Sequence, residues 1–172
     1  RGLLTRFHST NVGAFERATA VRMPSATGAG PVDIVTTAGL TFRNFHPVAE
    51  ANMPNQSGKP ARVTFPYGFF SWSAGTLAVA GIFVDIELIF PGPIAVPAQY
   101  WKVINGVWTD VCLQLSCSVN GNALTIRFRD GGTGDLDGLA NAVIVDPGGL
   151  GVGHSVDRCE LEALVAVAVE HE

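Results

Sequence analysis

Asp130, Asp135, Asp137, Asn141 and Asp146 place five oxygen-bearing side chains in one run, Asp130 to Gly149, that is also rich in glycine. Carboxylates so close together repel one another unless water or a cation screens them. Hard oxygen donors on a backbone that glycine allows to curl are the ligands Ca²⁺ takes. The run therefore predicts a calcium-binding loop whose metal is structural, so that binding adds to the free energy of folding. A crowded all-protein carboxylate site suits Ca²⁺ better than Mg²⁺, which holds on to its waters.

The spacing can be set against the register Asp-x-Asp-x-Asp-Gly-x-x-Asn of helix–loop–helix calcium sites. Asp135, Asp137, Gly138 and Asn141 fall on its third, fifth, sixth and ninth positions. Thr133 stands where the first Asp belongs and Ile144 where the bidentate Glu belongs, leaving Asp130 and Asp146 to act from just outside. The competing reading is a solvated turn, because Asp, Asn and Gly are ordinary turn residues and Asp146 before Pro147 can initiate an Asx turn.

Other constellations are thinner. His8, His46, His154 and His171 lie near the termini or in loop-like contexts, with no nucleophile and orienting group around them. Gly148 to Gly153 is glycine-rich but lacks the lysine and following helix of a nucleotide site. Asp85 and Glu87 could be imagined as a glycosidase pair, but a solvent-facing strand stripe explains them more simply. Trp101 and Trp108 are the candidate carbohydrate platform, although aromatic residues in sandwiches more often fill the core. No enzyme is expected. Cys112, Cys117 and Cys159 are the disulfide candidates, paired as Cys112–Cys117 or Cys112–Cys159 in an oxidising compartment, or all three buried as small apolar residues.

The elements that position these groups read as strands. Residues 18–23, 32–37, 40–45, 62–65 and 69–73 are short β-branched or alternating runs between Gly, Pro and Asn. The segment 76–90 is the longest apolar one, with Val84, Ile86, Leu88 and Phe90 on one face of a strand. Asn105-Gly106 predicts a type I′ hairpin between 100–104 and 107–112. Asn120-Gly121-Asn122 predicts a second one, leading into the strand 123–129 and straight on to the acidic loop. Residues 46–60 read as a polar connection, Asp146-Pro147-Gly148-Gly149 as another turn, and Gly148 to Gly153 as a flexible arm. The expected fold is all-β, a single antiparallel β-sandwich of jelly-roll or immunoglobulin-like type with an acidic calcium loop. One domain spans 1–172, with 1–17 and 154–172 either as inter-subunit arms or as segments paired within their own domain.

Only 15% of the 172 residues are charged and 47% are apolar, against about 25% charged in a typical soluble domain. Such a neutral surface suits contact with copies of itself, so a homo-oligomer or polymer is expected. A net charge of −4 with scattered Lys and Arg argues against nucleic acid, and no run is long enough for a transmembrane helix. The chain opens at Arg1, which reads as a product processed after export.

Pro66-Tyr67-Gly68-Phe69-Phe70-Ser71-Trp72, then Pro97-Ala98-Gln99-Tyr100-Trp101-Lys102, then Trp108, then the run from Asp130 to Gly149 follow one another in this order. Together they resemble the choice-of-anchor U domain of bacterial exported proteins, over roughly residues 30 to 150. The resemblance implies an extracellular or cell-surface location and carries the Asp positions over, but it assigns no activity. The family usually has Gly after Asn141 where this chain has Ala142, and its C-terminal sorting signal has no counterpart before Glu172. The expected function is thus a non-enzymatic structural subunit of a bacterial extracellular filament, tube or surface layer. It would be stiffened by calcium and joined by strand exchange through its terminal segments. The alternative is a secreted module that binds carbohydrate or another cell-surface ligand.

Overall fold

In the computed structural model, which describes residues 20–36, 40–75 and 79–153, two antiparallel sheets pack face to face. One sheet has the order β1 (Ala20–Pro24), β2 (Pro31–Thr36), β6 (Phe83–Ile89), β10 (Ala123–Arg129), β9 (Ser116–Asn120). The other has the order β3 (Thr41–Val48), β5 (Phe69–Gly75), β11 (Val143–Gly153), β7 (Gln99–Ile104), β8 (Val107–Asp110), and the short β4 (Val63–Thr64) pairs with the far end of β11. The expected all-β sandwich is what the chain forms.

Two-residue alternation builds the interface between the sheets. Val84, Ile86 and Leu88 of β6 and Leu124, Ile126 and Phe128 of β10 turn inward. They meet Phe42, Phe70, Trp72, Ala74, Tyr100, Ile144 and Leu150 from the opposite sheet. The Trp72 ring stands edge-on between Phe42 and Phe128, with centroids 5.7 and 5.9 Å away, the arrangement that aromatic quadrupoles favour. On the outer face of β6, Asp85 pairs with Arg127 across the strands at 3.4 Å, as a solvent-facing stripe should.

Both hairpin signals act as expected. Asn105 and Gly106 take φ of 52° and 78°, the two left-handed residues that a type I′ turn needs. Gly121 takes φ of 62° in the two-residue connection from β9 to β10.

Three expectations differ from the structure. Residues 46–60 are not a bare connection. β3 runs on to Val48, and the chain then folds back over the outer face of the second sheet, where Met53, Val63 and Phe65 form a smaller apolar cluster with Phe69, Val103 and Trp108. Nor is there a turn at Asp146-Pro147-Gly148-Gly149 or an arm from Gly148 to Gly153, because both lie within β11, an eleven-residue strand at the centre of its sheet. The glycines are there because neighbouring side chains fill the space. A Cβ on Gly148 would stand 2.4 Å from the Tyr100 ring, and one on Gly151 would stand 2.3 Å from the Trp101 ring. Pro147 is tolerated because it precedes Gly148, where pairing with β7 begins, and so sits where one flank of the strand carries no ladder. The proposed arms 1–17 and 154–172, with His8, His154, Cys159 and His171, lie outside the described residues.

Candidate functional site

The acidic loop leaves β10 at Arg129 and returns at Val143, so its two ends are strands of opposite sheets. Gly131, Gly134 and Gly138 take φ of 72°, 88° and 63°. At Gly131 a Cβ would lie 2.5 Å from the Ala140 nitrogen, so only glycine lets the loop close there.

Each predicted ligand can be placed. Asp130, 1% exposed, accepts N–H bonds from Gly81 at 2.7 Å, Ala142 at 2.9 Å and Asn141 at 3.3 Å. Burial pushes its carboxyl up, but these backbone donors outweigh that and leave its pKa below the ordinary value. Asp135 accepts from Gly131 at 2.8 Å and Val145 at 2.9 Å. Here burial prevails, and its pKa is raised. Asp137, on the surface, accepts from the Leu139 N–H at 2.9 Å and from the Asn141 amide at 3.0 Å. Asn141 in turn accepts from the Val143 N–H at 2.9 Å.

Asp146 faces the other way, into the core. Its Oδ2 accepts the Tyr100 hydroxyl at 2.7 Å, and its Oδ1 is ion-paired with Lys102 Nζ. The two charged side chains are 0% and 1% exposed. Lys102 Nζ also donates to the Gly134 carbonyl of the acidic loop and lies 4.7 Å from the centre of the Phe128 ring. Burial pulls the Lys102 amine below its usual range, against the opposing attraction of Asp146 and Asp135. Burial pushes the Asp146 carboxyl up, with Lys102 and Tyr100 opposing. The Tyr100 hydroxyl is raised well above its ordinary value by burial and then by the Asp146 charge. Beside it, the buried Trp72 indole N–H finds no hydrogen-bond partner of ordinary geometry.

This arrangement does not fit the calcium site that the sequence predicts. Its oxygens face separate sets of N–H donors instead of a common centre, and a lysine ammonium occupies the cation position at Asp146. Among the described residues, no three His, Cys, Asp or Glu side chains gather as a metal site. In the structure the carboxylates are met by backbone N–H donors and, at Asp146, by Lys102.

Sequence reasoning missed Lys102 and Tyr100. The signal was present: Tyr100 and Lys102 share the inward register of β7, and a lysine at a core position demands a partner.

The remaining candidates separate. Cys112 and Cys117 are bridged, with Cα atoms 5.4 Å apart, and the bridge links the short 3-10 turn Val111–Leu113 to β9. Trp108 is 8% exposed, packs against Phe65 and Phe69 with both centroids at 5.7 Å, and donates its indole N–H to the Asn55 carbonyl at 2.7 Å. It is a packing residue and not an open platform. Trp101 is half-buried, and its indole N–H points to the Gln99 side chain at 3.3 Å. His46 lies exposed on β3, its Nδ1 3.0 Å from the Asn44 carbonyl.

Comparison with family models, with curated proteins and with solved structures gives no match. The four sequence segments that stand out, from Pro66 to the end of the acidic run, lie together in the second sheet and the acidic loop. Pro66 to Trp72 enters β5, Pro97 to Lys102 enters β7, Trp108 is on β8, and the last run ends inside β11.

Proposed function

We infer that this chain is a non-enzymatic structural subunit of a bacterial extracellular surface assembly, built for rigidity and self-association. The observation that carries this reading is the state of the acidic loop. Every oxygen of Asp130, Asp135, Asp137 and Asp146 has an internal hydrogen-bond or ion-pair partner, so these groups tie the loop to itself and to its neighbours and are not directed at a substrate. The Cys112–Cys117 bridge is of the kind that persists in oxidising compartments, in keeping with export. Val79, Phe83, Val107 and Leu113 are each more than half exposed, apolar side chains available for contact with further copies. The loop is rigid through its own donors, and calcium has no part in this reading.

Light scattering on the full chain tests it, in millimolar Ca²⁺ and again in chelator. Oligomers or larger particles that persist unchanged in both conditions are expected. A monodisperse monomer across all concentrations would count against assembly, and particles that dissociate on chelation would restore calcium to the interface.

A further inference from the structure

We propose that Lys102 and Asp146 condense within the folded chain to an intramolecular amide that covalently joins β7 to β11. This goes beyond the assembly reading and does not depend on it. The starting point is a buried pair that interior physics disfavours as ions. Two charges removed from water cost several kcal/mol each by order of magnitude, and attraction repays this only where further hydrogen bonds satisfy both groups. Here Asp146 Oδ1 meets Lys102 in an ion pair yet accepts no conventional hydrogen bond. Proton transfer between the two gives a neutral amine beside a neutral carboxylic acid, the protonation states that burial favours for both. A desolvated, uncharged lysine is a nucleophile.

The surrounding groups suit the step. The Tyr100 hydroxyl donates to Oδ2, the oxygen that stays as the amide carbonyl, and so stabilises the negative charge that develops on it. The Gly134 carbonyl accepts from Nζ and orients the amine. Phe128 and Trp72 close the cluster against solvent. Holding amine and carboxyl in contact makes the step unimolecular, for which effective molarities reach about 10⁵ M or more. Lys102 Nζ attacks Asp146 Cγ to form one N–C bond, and one C–O bond then breaks. The departing oxygen leaves as water, carrying one proton from the amine and the one the carboxylic acid already held. Nothing is oxidised or reduced, and no cofactor is required.

The test is the intact mass of the full, reduced and denatured chain, followed by tryptic mapping. The expected result is a mass lower than the sequence mass by one water, with no cleavage after Lys102 and a branched peptide joining Lys102 to Asp146. Lys102→Met and Asp146→Ala should both return to their full sequence masses. Because either variant could lose its fold, the branched wild-type peptide is decisive. Tyr100→Phe, which keeps the ring over Gly148, should fold and show a smaller cross-linked fraction, an effect that a merely structural role for the hydroxyl would not produce. A wild-type chain at its full sequence mass overturns the proposal. So does a water loss that persists in Lys102→Met, which would point to cyclisation at Asp130-Gly131 or Asp137-Gly138. Asp146 itself is closed to that side reaction, since the Pro147 nitrogen carries no hydrogen.

Discussion

Asp130 opens the acidic loop and Asp146 lies in β11, the strand that follows it; both are essentially buried, and their carboxylates are stabilised in opposite ways. Asp130 accepts three convergent backbone N–H bonds and stays a comfortable anion. Asp146 has only side chains around it, Lys102 and Tyr100, and burial pushes it towards the neutral acid. The contrast shows that burial alone does not decide the state of a carboxylate. Fixed dipoles already pointing at the site solvate a charge without a counter-ion, whereas a mobile lysine must itself be desolvated to do so.

The largest break in this comparison should come from Asp146→Ala, which strands the Lys102 amine in the core. A loss of about 3 to 5 kcal/mol is expected in denaturant unfolding. Adding Lys102→Met and placing Leu at position 146 should recover the part caused by the stranded amine. If the double variant is as unstable as Asp146→Ala alone, the unpaired lysine is not the cause.

Gly148→Ala comes next. Its new methyl would collide with the Tyr100 ring and should cost about 2 to 3 kcal/mol by overpacking, with the Tyr100 hydroxyl displaced from Asp146. Wild-type stability in this variant would mean that β7 moves away freely.

Asp130→Asn sharpens the other half of the comparison. An amide offers one acceptor oxygen where two oxygens now receive three N–H groups, so about 2 kcal/mol should be lost through unmatched donors. The sign of the pH effect follows from the lowered pKa. The contribution of Asp130 is present above the ordinary carboxylate value of the unfolded chain and is lost as pH falls through the still lower folded value. Asp135, whose pKa is raised, acts in reverse: its contribution is present at low pH and is lost as pH rises through the folded value. Melting curves taken from about pH 5 down to about pH 2 should therefore fall less steeply for Asp130→Asn than for the wild type. Parallel curves would show that Asp130 does not govern the acid limb.

The smallest effect should be a gain. Ala142 donates to Asp130 from a left-handed backbone, φ 67°, which costs a residue with a Cβ about 1 kcal/mol. Ala142→Gly should raise stability by about 0.5 to 1 kcal/mol, less what the lost methyl contributed to packing. A melting temperature that drops would mean that the packing of that methyl outweighs the strain.

The same position shows what could be read in advance. That residue 142 is an alanine is plain in the sequence, but not the donor role that makes its left-handed conformation necessary. The acidic run was read correctly as a cluster needing compensation. The part that Lys102 plays beside Asp146 and Gly134 is not legible there, because Lys102 lies far away along the chain and looks like any lysine in an alternating strand. The glycines after Asp146 were read as a turn for a related reason. Gly148 and Gly151 are small to make room for Tyr100 and Trp101, residues of a neighbouring strand, and no local pattern separates that from flexibility.

What the sequence determined by itself was whatever local chemistry controls: two-residue alternation in β6 and β10, the Asn105-Gly106 turn, and a glycine-curled loop crowded with carboxylates. These depend on backbone sterics and on neighbours a few residues apart. Tertiary structure decided which oxygens face which donors, that β11 is a central strand, and that the side chain beside Asp146 is Lys102. Those outcomes depend on which strands become neighbours, because in the low-dielectric space between two sheets the partners of a buried charge set its state.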